Sequence, residues 1–345
     1  MFRMLEKIAA DQVYVIAEMS ANHAGKLENA LEIVRQAAKA GADCVKIQTY
    51  TADTLTIDCD NAYFRIKDGL WAGRTLYELY QEAGTPWEWQ GRIKRECETC
   101  GVDFLSTPFD NTAVDFLEGI GCEAYKIASF ELVDIPLIEY AASRGKPMVI
   151  SCGMGSVEEI QDAVDACGRV GNDQVILLKC CSEYPANYED MRLRNIPDMM
   201  ERFQLPVGLS DHSPGSLAAV VGVSLGARVV EKHFCLSREL KTPDSVFSME
   251  PGEFARMVED IRNTQKLLAP ASYELSENER KNMVFRRSLF AVKDIEAGAA
   301  CTAENIRSIR PGYGIKPKYY QKICGQTARI SLKMGEPLRI QDFLR

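Results

Sequence analysis

Eight short apolar runs, each followed by a polar or helix-like segment, most constrain what this chain can fold into. They are VYVIAEMS (13–20), CVKIQTY (44–50), DFLSTP (103–108), AYKIAS (124–129), PMVISCG (147–153), QVILLKCCS (174–182), PVGLSDH (206–212) and RVVEKHF (228–234). Between them, stretches such as LENALEIVRQAAKA and SVEEIQDAVDACGR repeat apolar residues at spacings of three and four, the pattern of a helix with one buried face. Glycine often stands just before the next run, as in KAGADCVK, SRGKPMVI and SLGARVVE, consistent with a left-handed helix C-cap. Strand and helix alternating in series imply a parallel sheet, and eight such units predict a closed (β/α)8 TIM barrel. An open doubly wound sheet is the alternative; it rarely needs eight such regular units, and no G-x-G-x-x-G opens the first helix.

The pattern stops after the eighth unit. Residues 1–268 are assigned to the barrel, 269–285 to a polar linker (ASYELSENERKN lies within it) and 286–345 to a small module. RRSLFAVKDI and CTAENIRSIRPGYGI predict small β structure, and VKDIEAGAACTAENI resembles ISLKMGEPLRIQDF, each with a turn glycine between apolar runs. From Arg286 onward 12 Lys and Arg face 5 Asp and Glu, a net +7, which leaves −15 on the preceding 285 residues of a chain at −8 overall. A basic module beside an acidic body suits either complementary surfaces or help in holding an anionic ligand. No nucleic-acid motif or aromatic-basic stripe accompanies the charge, so a nucleic-acid partner is not expected. No apolar run is long enough to span a bilayer, and MFRMLEKIAADQ lacks the features of a signal peptide, so the expected location is cytoplasmic and off the membrane. Most of the twelve cysteines lie within apolar patterns, as reduced buried thiols do. The single C-x-x-C, Cys97 to Cys100, has no second pair to complete a zinc site and reads as two helix-surface residues.

A barrel of this kind works at the C-terminal ends of its strands. Those ends carry Glu18, Ser20, Asn22 and His23; Lys46 and Gln48; Ser106 and Thr107; Lys126 and Ser129; Ser151; Lys179, Ser182 and Glu183; Ser210, Asp211 and His212; and Glu231, Lys232 and His233. Only three histidines occur in the chain, and two of them, His212 and His233, end adjacent strands. Two imidazoles side by side suit one divalent metal with open positions for water and substrate; a neutral, hydrogen-bonded pair lining a polar pocket is the alternative. Lys46 and Lys126 with several hydroxyls suit a phosphate and a carboxylate, while a buried lysine could instead form a Schiff base, as in barrel aldolases.

AEMSANHAG, GADCVKIQTY, FLSTPFD, YKIAS, GLSDH and EKHF, followed by RRSLF and IRPGYG, resemble the sialic acid synthase family over nearly the whole chain. AEMSANHAG, GRTLYELYQEAGTPWEW (73–89) and TPDSVFSMEP are more similar to its pseudaminic acid branch than to its N-acetylneuraminate branch; a legionaminate branch is a further alternative. The resemblance implies a barrel with a C-terminal antifreeze-like (SAF, β-clip) domain and a domain-swapped homodimer. It also implies a divalent metal (Mn2+ or Mg2+, with Co2+ a further candidate) and condensation of phosphoenolpyruvate with an N-acylated hexose aldehyde, releasing phosphate. By the same resemblance His212 and His233 are metal ligands, and Glu18 is the acid near the reacting atoms. Lys46, Thr107, Lys126, Ser129, Ser151, Ser182 and Ser210 fall at or near phosphoenolpyruvate positions, Tyr184 and Asp244 at sugar positions, and Arg310 at the arginine offered to the partner subunit. Ser182 departs from the asparagine common in the N-acetylneuraminate branch, and the residues around Asp244 depart from its G-P-D-H pattern.

Overall fold

The computed structural model describes residues 3–343, in two units that divide between Ala269 and Pro270. In the first, eight strands form a closed, all-parallel barrel in sequence order: β1 (Tyr14–Glu18), β2 (Cys44–Thr49), β3 (Asp103–Pro108), β4 (Tyr125–Ile127), β5 (Met148–Ser151), β6 (Val175–Cys180), β7 (Val207–Asp211) and β8 (Val229–His233). The pairing of β8 with β1, Glu18 opposite His233, closes the ring. Every strand lies within the run expected for it. The glycines expected to end helices, Gly41, Gly145 and Gly226, have φ of 89°, 69° and 104°, a left-handed backbone that costs a Cβ-bearing residue energy.

The two faces of the ring bury different things. Outward residues such as Val15, Val45, Ile127 and Leu209 pack with the helix layer, for example with Ile33, Val34 and Ala37 of helix Leu27–Lys39. Fully burying each large aliphatic side chain there stabilises by about 1.5–3 kcal/mol. Inward residues, among them Tyr14, Ile16, Cys44, Leu105, Val149, Ile176 and Val229, fill the lower bore. Met4, on a helix Arg3–Ala9 that the sequence reading did not anticipate, is fully buried against them and seals that end. Among the described residues no helix is long and apolar enough to cross a membrane.

Cys97 is buried against the barrel on helix Trp87–Cys100, and Cys100 is half-buried and packs against the same core. The helix-surface reading of this pair is thus corrected, because its i, i+3 spacing lies on the apolar stripe. The segment read as a linker contains a short helix, Glu277–Asn282, capped by the Ser276 hydroxyl and Glu279.

In the second unit β9 (Ser288–Ala291) pairs antiparallel with β10 (Ile306–Ile309). The internal repeat proves real in three dimensions. Gly298 and Gly335 both have positive φ, 87° and 92°. Ile295, Cys301 and Ile306 share a core with Leu332, Leu338 and Phe343 at the matching positions. Asn305 accepts from Thr302 N at 2.7 Å just as Asp342 accepts from Arg339 N at 2.6 Å.

Candidate active site at the barrel mouth

Strand pleating decides which side chains reach the bore, since residues two apart share a face. Climbing in steps of two from the apolar interior leads from Ile16 to Glu18, Cys44 to Lys46 and Gln48, Leu105 to Thr107, Ala124 to Lys126, and Val149 to Ser151. The same step reaches Ser210 and His212 on and just after β7, and Glu231 and His233 on β8. Residues of the opposite parity leave the mouth. Lys232 pairs with Asp211 at 2.8 Å in the outer layer, and Ser106 bonds Thr49 there at 2.6 Å. Lys179, one residue out of phase with Cys180, donates to the Cys180 carbonyl at 2.6 Å. Ser106, Lys179, Asp211 and Lys232, which their place at strand ends put among the candidates, therefore do not join the site.

Four buried charges form the floor. Lys46 Nζ lies 2.8 Å from Glu18 Oε2 and 3.7 Å from Glu231 Oε1, and it donates to Thr107 Oγ1 at 3.3 Å. Lys126 Nζ donates to Ser151 Oγ at 2.6 Å and lies 3.6 Å from Glu231 Oε1, which also accepts from Ser210 Oγ at 3.0 Å. Gln48 Nε2 donates to Glu18 Oε1 at 3.2 Å and to Ser20 Oγ at 3.0 Å. Burial raises the Glu18 carboxyl, even against Lys46. Burial acts the same way on Glu231, but Lys126 and Lys46 outweigh it and hold that carboxyl low. Burial depresses Lys126, whereas in Lys46 the two carboxylates overcome burial and raise it. One floor thus holds a carboxyl inclined to keep a proton and another inclined to give it up.

Beside the lysines, Ser129 and Ser182 converge over bare backbone. Gly153 N donates to Ser129 Oγ at 3.0 Å, and a Cβ at position 153 would lie 2.7 Å from that oxygen and collide with the Ser182 hydroxyl. Ser182 therefore sits with the expected phosphoenolpyruvate set.

The imidazoles of His212 and His233 stand with ring centroids 5.3 Å apart. His212 Nδ1 bonds the Cys181 carbonyl at 2.9 Å, which leaves Nε2 as its free nitrogen; Cys180 Sγ lies 3.8 Å from the same Nδ1. Burial acts to lower His212, but its Cys180 and Cys181 partners outweigh it. Burial and the neighbouring His212 drive His233 well below the ordinary range, so it is neutral, and its buried Nδ1 has no hydrogen-bond partner. Asp244 Oδ2 is 3.9 Å from that nitrogen. A neutral imidazole with an orphaned nitrogen, next to one oriented by a backbone carbonyl, fits a divalent ion held by two protein ligands. Among the described residues no group of three or more His, Cys, Asp and Glu could by itself hold a metal.

The rim is aromatic. Tyr184 packs 4.3 Å from His212 and 5.2 Å from Phe247, whose ring is 4.9 Å from His233. Asn22 ties the β1 loop to the β8 loop: its amide donates to Phe234 O and Ser248 Oγ at 3.0 and 2.9 Å, and its oxygen accepts from Thr242 at 2.5 Å. Asp244 is held there as well, with its carbonyl accepting from Ser248 Oγ at 2.7 Å. His23 points elsewhere. Its Nδ1 accepts from Gly25 N at 3.1 Å, its Nε2 lies 3.2 Å from Thr85 Oγ1, and burial lowers it to about 4, so it is a packing residue. Arg310 is exposed just after β10 in the small unit, where basic side chains including Arg286, Arg287, Lys316 and Lys318 line a cavity of about 590 Å³ next to Gly312 and Tyr313.

Two participants escaped assignment from sequence. Glu231 stood among the strand-end residues without a role, although its two-residue spacing from His233 places it on the same face. Phe247 arrives on a 3-10 turn, Ser245–Phe247, which carries no periodic signal.

Comparison with known proteins agrees with this fold. Residues 33–273 match the NeuB family model and residues 286–344 the SAF domain model. The chain is 45% identical to the pseudaminic acid synthase of Campylobacter jejuni subsp. jejuni serotype O:2, over 96% of this chain and 97% of that protein. It is 43% identical to the pseudaminic acid synthase of Helicobacter pylori, over 96% and 98%. The crystal structure of an N-acetylneuraminic acid (sialic acid) synthetase from Leptospira borgpetersenii serovar Hardjo-bovis superposes with a TM-score of 0.70 at 31% identity, covering 79% of this chain and 90% of that one. With the barrel, the buried floor and the imidazole pair in place, these matches establish that the chain belongs to the NeuB family of sialic acid synthases and carries a SAF domain after its barrel.

Proposed function

We propose that the protein is a pseudaminic acid synthase. It condenses phosphoenolpyruvate with the open-chain aldehyde of 2,4-diacetamido-2,4,6-trideoxy-altrose and water, giving a nine-carbon nonulosonic acid and phosphate. The observation that carries this reading is one buried mouth in which a lysine and hydroxyl set adjoins an imidazole pair, in a chain 43% to 45% identical to proteins of that name.

Lys46 and Lys126 offer positive charge to phosphoenolpyruvate, and the hydroxyls of Thr107, Ser129, Ser151, Ser182 and Ser210 add neutral donors that fix its orientation. His212 and His233 would hold a divalent ion, manganese or magnesium with cobalt as a substitute, and such an ion when bound supplies Lewis-acid polarisation of a carbonyl oxygen. The methylene carbon of phosphoenolpyruvate forms the new bond to the aldehyde carbon, and the aldehyde oxygen takes up a proton. Water then adds at the former enol carbon. Glu18, raised by burial, suits both transfers: it gives a proton to the alkoxide and recovers one from the water, after which the tetrahedral centre expels phosphate. Tyr184 and Asp244 border the sugar, and Arg310 of a second copy completes the site in a domain-swapped homodimer. Twelve free cysteines accord with work in the reducing cytoplasm.

Phosphate release measured across a panel of acylated hexoses tests the reading. Preference for the 2,4-diacetamido-2,4,6-trideoxy-altrose is expected. Equal or better turnover of N-acetylmannosamine, or of a legionaminate-forming sugar, refutes the substrate assignment.

A further inference from the structure

The segment between β2 and helix Trp87–Cys100 folds back on itself at the mouth. Ile66 N donates to Arg74 O and Gly73 N to Ile66 O, both at 2.9 Å, and Leu76 N donates to Phe64 O at 2.8 Å. This small hairpin presents Trp71 at its tip. The indole Nε1 donates to Pro243 O at 3.2 Å, next to Asp244, and its ring lies 6.1 Å from Tyr184 at 51°. Tyr184 in turn covers His212, so Trp71 stands one aromatic ring beyond the imidazole pair.

We propose that Trp71 is a specificity-determining residue: its indole face receives the 6-methyl end of the sugar and disfavours a 6-hydroxymethyl group. The proposal rests on the reading above, which places the aldehyde carbon at the imidazoles and lets the rest of the chain extend along Tyr184. At that distance the sugar meets Trp71, whose single polar hydrogen already serves the Pro243 carbonyl. A terminal hydroxyl pressed on this face loses water and finds no indole partner, whereas a methyl group gains contact area. The hydrogen bond also joins two loops that are far apart in the chain.

The test compares kcat/KM for 2,4-diacetamido-2,4,6-trideoxy-altrose and its 6-hydroxy counterpart in wild type, Trp71→Phe and Trp71→Gln. Wild type should favour the 6-deoxy sugar by on the order of a hundredfold. Trp71→Phe, which keeps the apolar face and loses the indole hydrogen bond, should retain most of that ratio. Trp71→Gln, which brings an amide to the same place, should lower the ratio about tenfold or more while KM for phosphoenolpyruvate stays unchanged. A Trp71→Gln enzyme that loses rate equally on both sugars overturns the proposal, since a purely structural tryptophan would act that way. Wild type that fails to turn over the 6-deoxy sugar overturns the proposed function itself, a result read before any variant is made. A wild type that uses both sugars equally leaves the synthase reading intact and overturns the role of Trp71.

Discussion

Replacing Lys46 with methionine removes the hub of the buried floor while keeping an unbranched side chain of similar length. Lys46 Nζ faces Glu18 Oε2 at 2.8 Å and Glu231 Oε1 at 3.7 Å, both carboxylates fully buried. With an effective dielectric constant near 20, Coulomb's law assigns these contacts about 6 and about 4 kcal/mol. The substitution also abolishes the cost of burying the ammonium, so the net loss should be about 3–5 kcal/mol, the range for breaking one side of a buried pair. That loss should depend on pH. Burial already raises the Glu18 carboxyl, and without Lys46 it rises further, so the folded variant holds a proton that the unfolded chain releases. A carboxyl raised on folding lends stability that is present below its unfolded value and is lost as pH rises through its folded one. Lys46→Met should therefore melt roughly 10 °C below wild type at about pH 8 and much nearer to it at about pH 5.5, as read by calorimetry of the barrel transition. KM for phosphoenolpyruvate should rise on the order of a hundredfold from loss of the charged contact. Equal deficits at both pH values, or a deficit under about 1 kcal/mol, would refute the charge argument.

Other outcomes test separate parts of the site. Excess chelator should abolish phosphate release, manganese, magnesium or cobalt should restore it, and His212→Ala should need far more metal; full activity in chelator would remove the metal from the proposal. Mixing inactive Arg310→Ala and His233→Ala homodimers under subunit exchange should recover part of the wild-type rate, because a swapped heterodimer has one site with both lesions and one with neither. No recovery would mean that each site uses its own small unit. Burial lifts Glu131 from 4.5 to about 7, so its contribution to stability falls away as pH rises through that value. Glu131→Gln should remove that fall and gain up to about 3 kcal/mol at about pH 8 in thermal melts; an unchanged pH slope would show that the carboxyl is not strained by its surroundings.

Periodicity made the barrel legible before any coordinates, because a buried parallel strand and an amphipathic helix each leave a repeat in the sequence that survives substitution of single residues. The eight strands, the helix-ending glycines and the weak repeat of the small unit were all readable in this way. So were Glu18, Lys46, Lys126, Ser151, Ser210, His212 and His233, whose place at strand ends follows from barrel architecture. The helix Arg3–Ala9 was not readable, since its short amphipathic pattern does not tell that Met4 plugs the bore.

Chain order could name candidates but could not orient them. Lys179 and Lys232 occupy strand ends as Lys46 and Lys126 do, and one residue of phase sends them into the helix layer instead of the bore. The same phase promotes Glu231 to a partner of both floor lysines. Phe247 and Trp71 reach the rim through aperiodic loops, where no repeat marks the direction of a side chain. Local patterns dictate which segments become strands and helices because those choices depend on near neighbours. The pairing of charges, the orphaned nitrogen of His233 and the aromatic rim depend on groups far apart in the chain, which meet only when the ring closes.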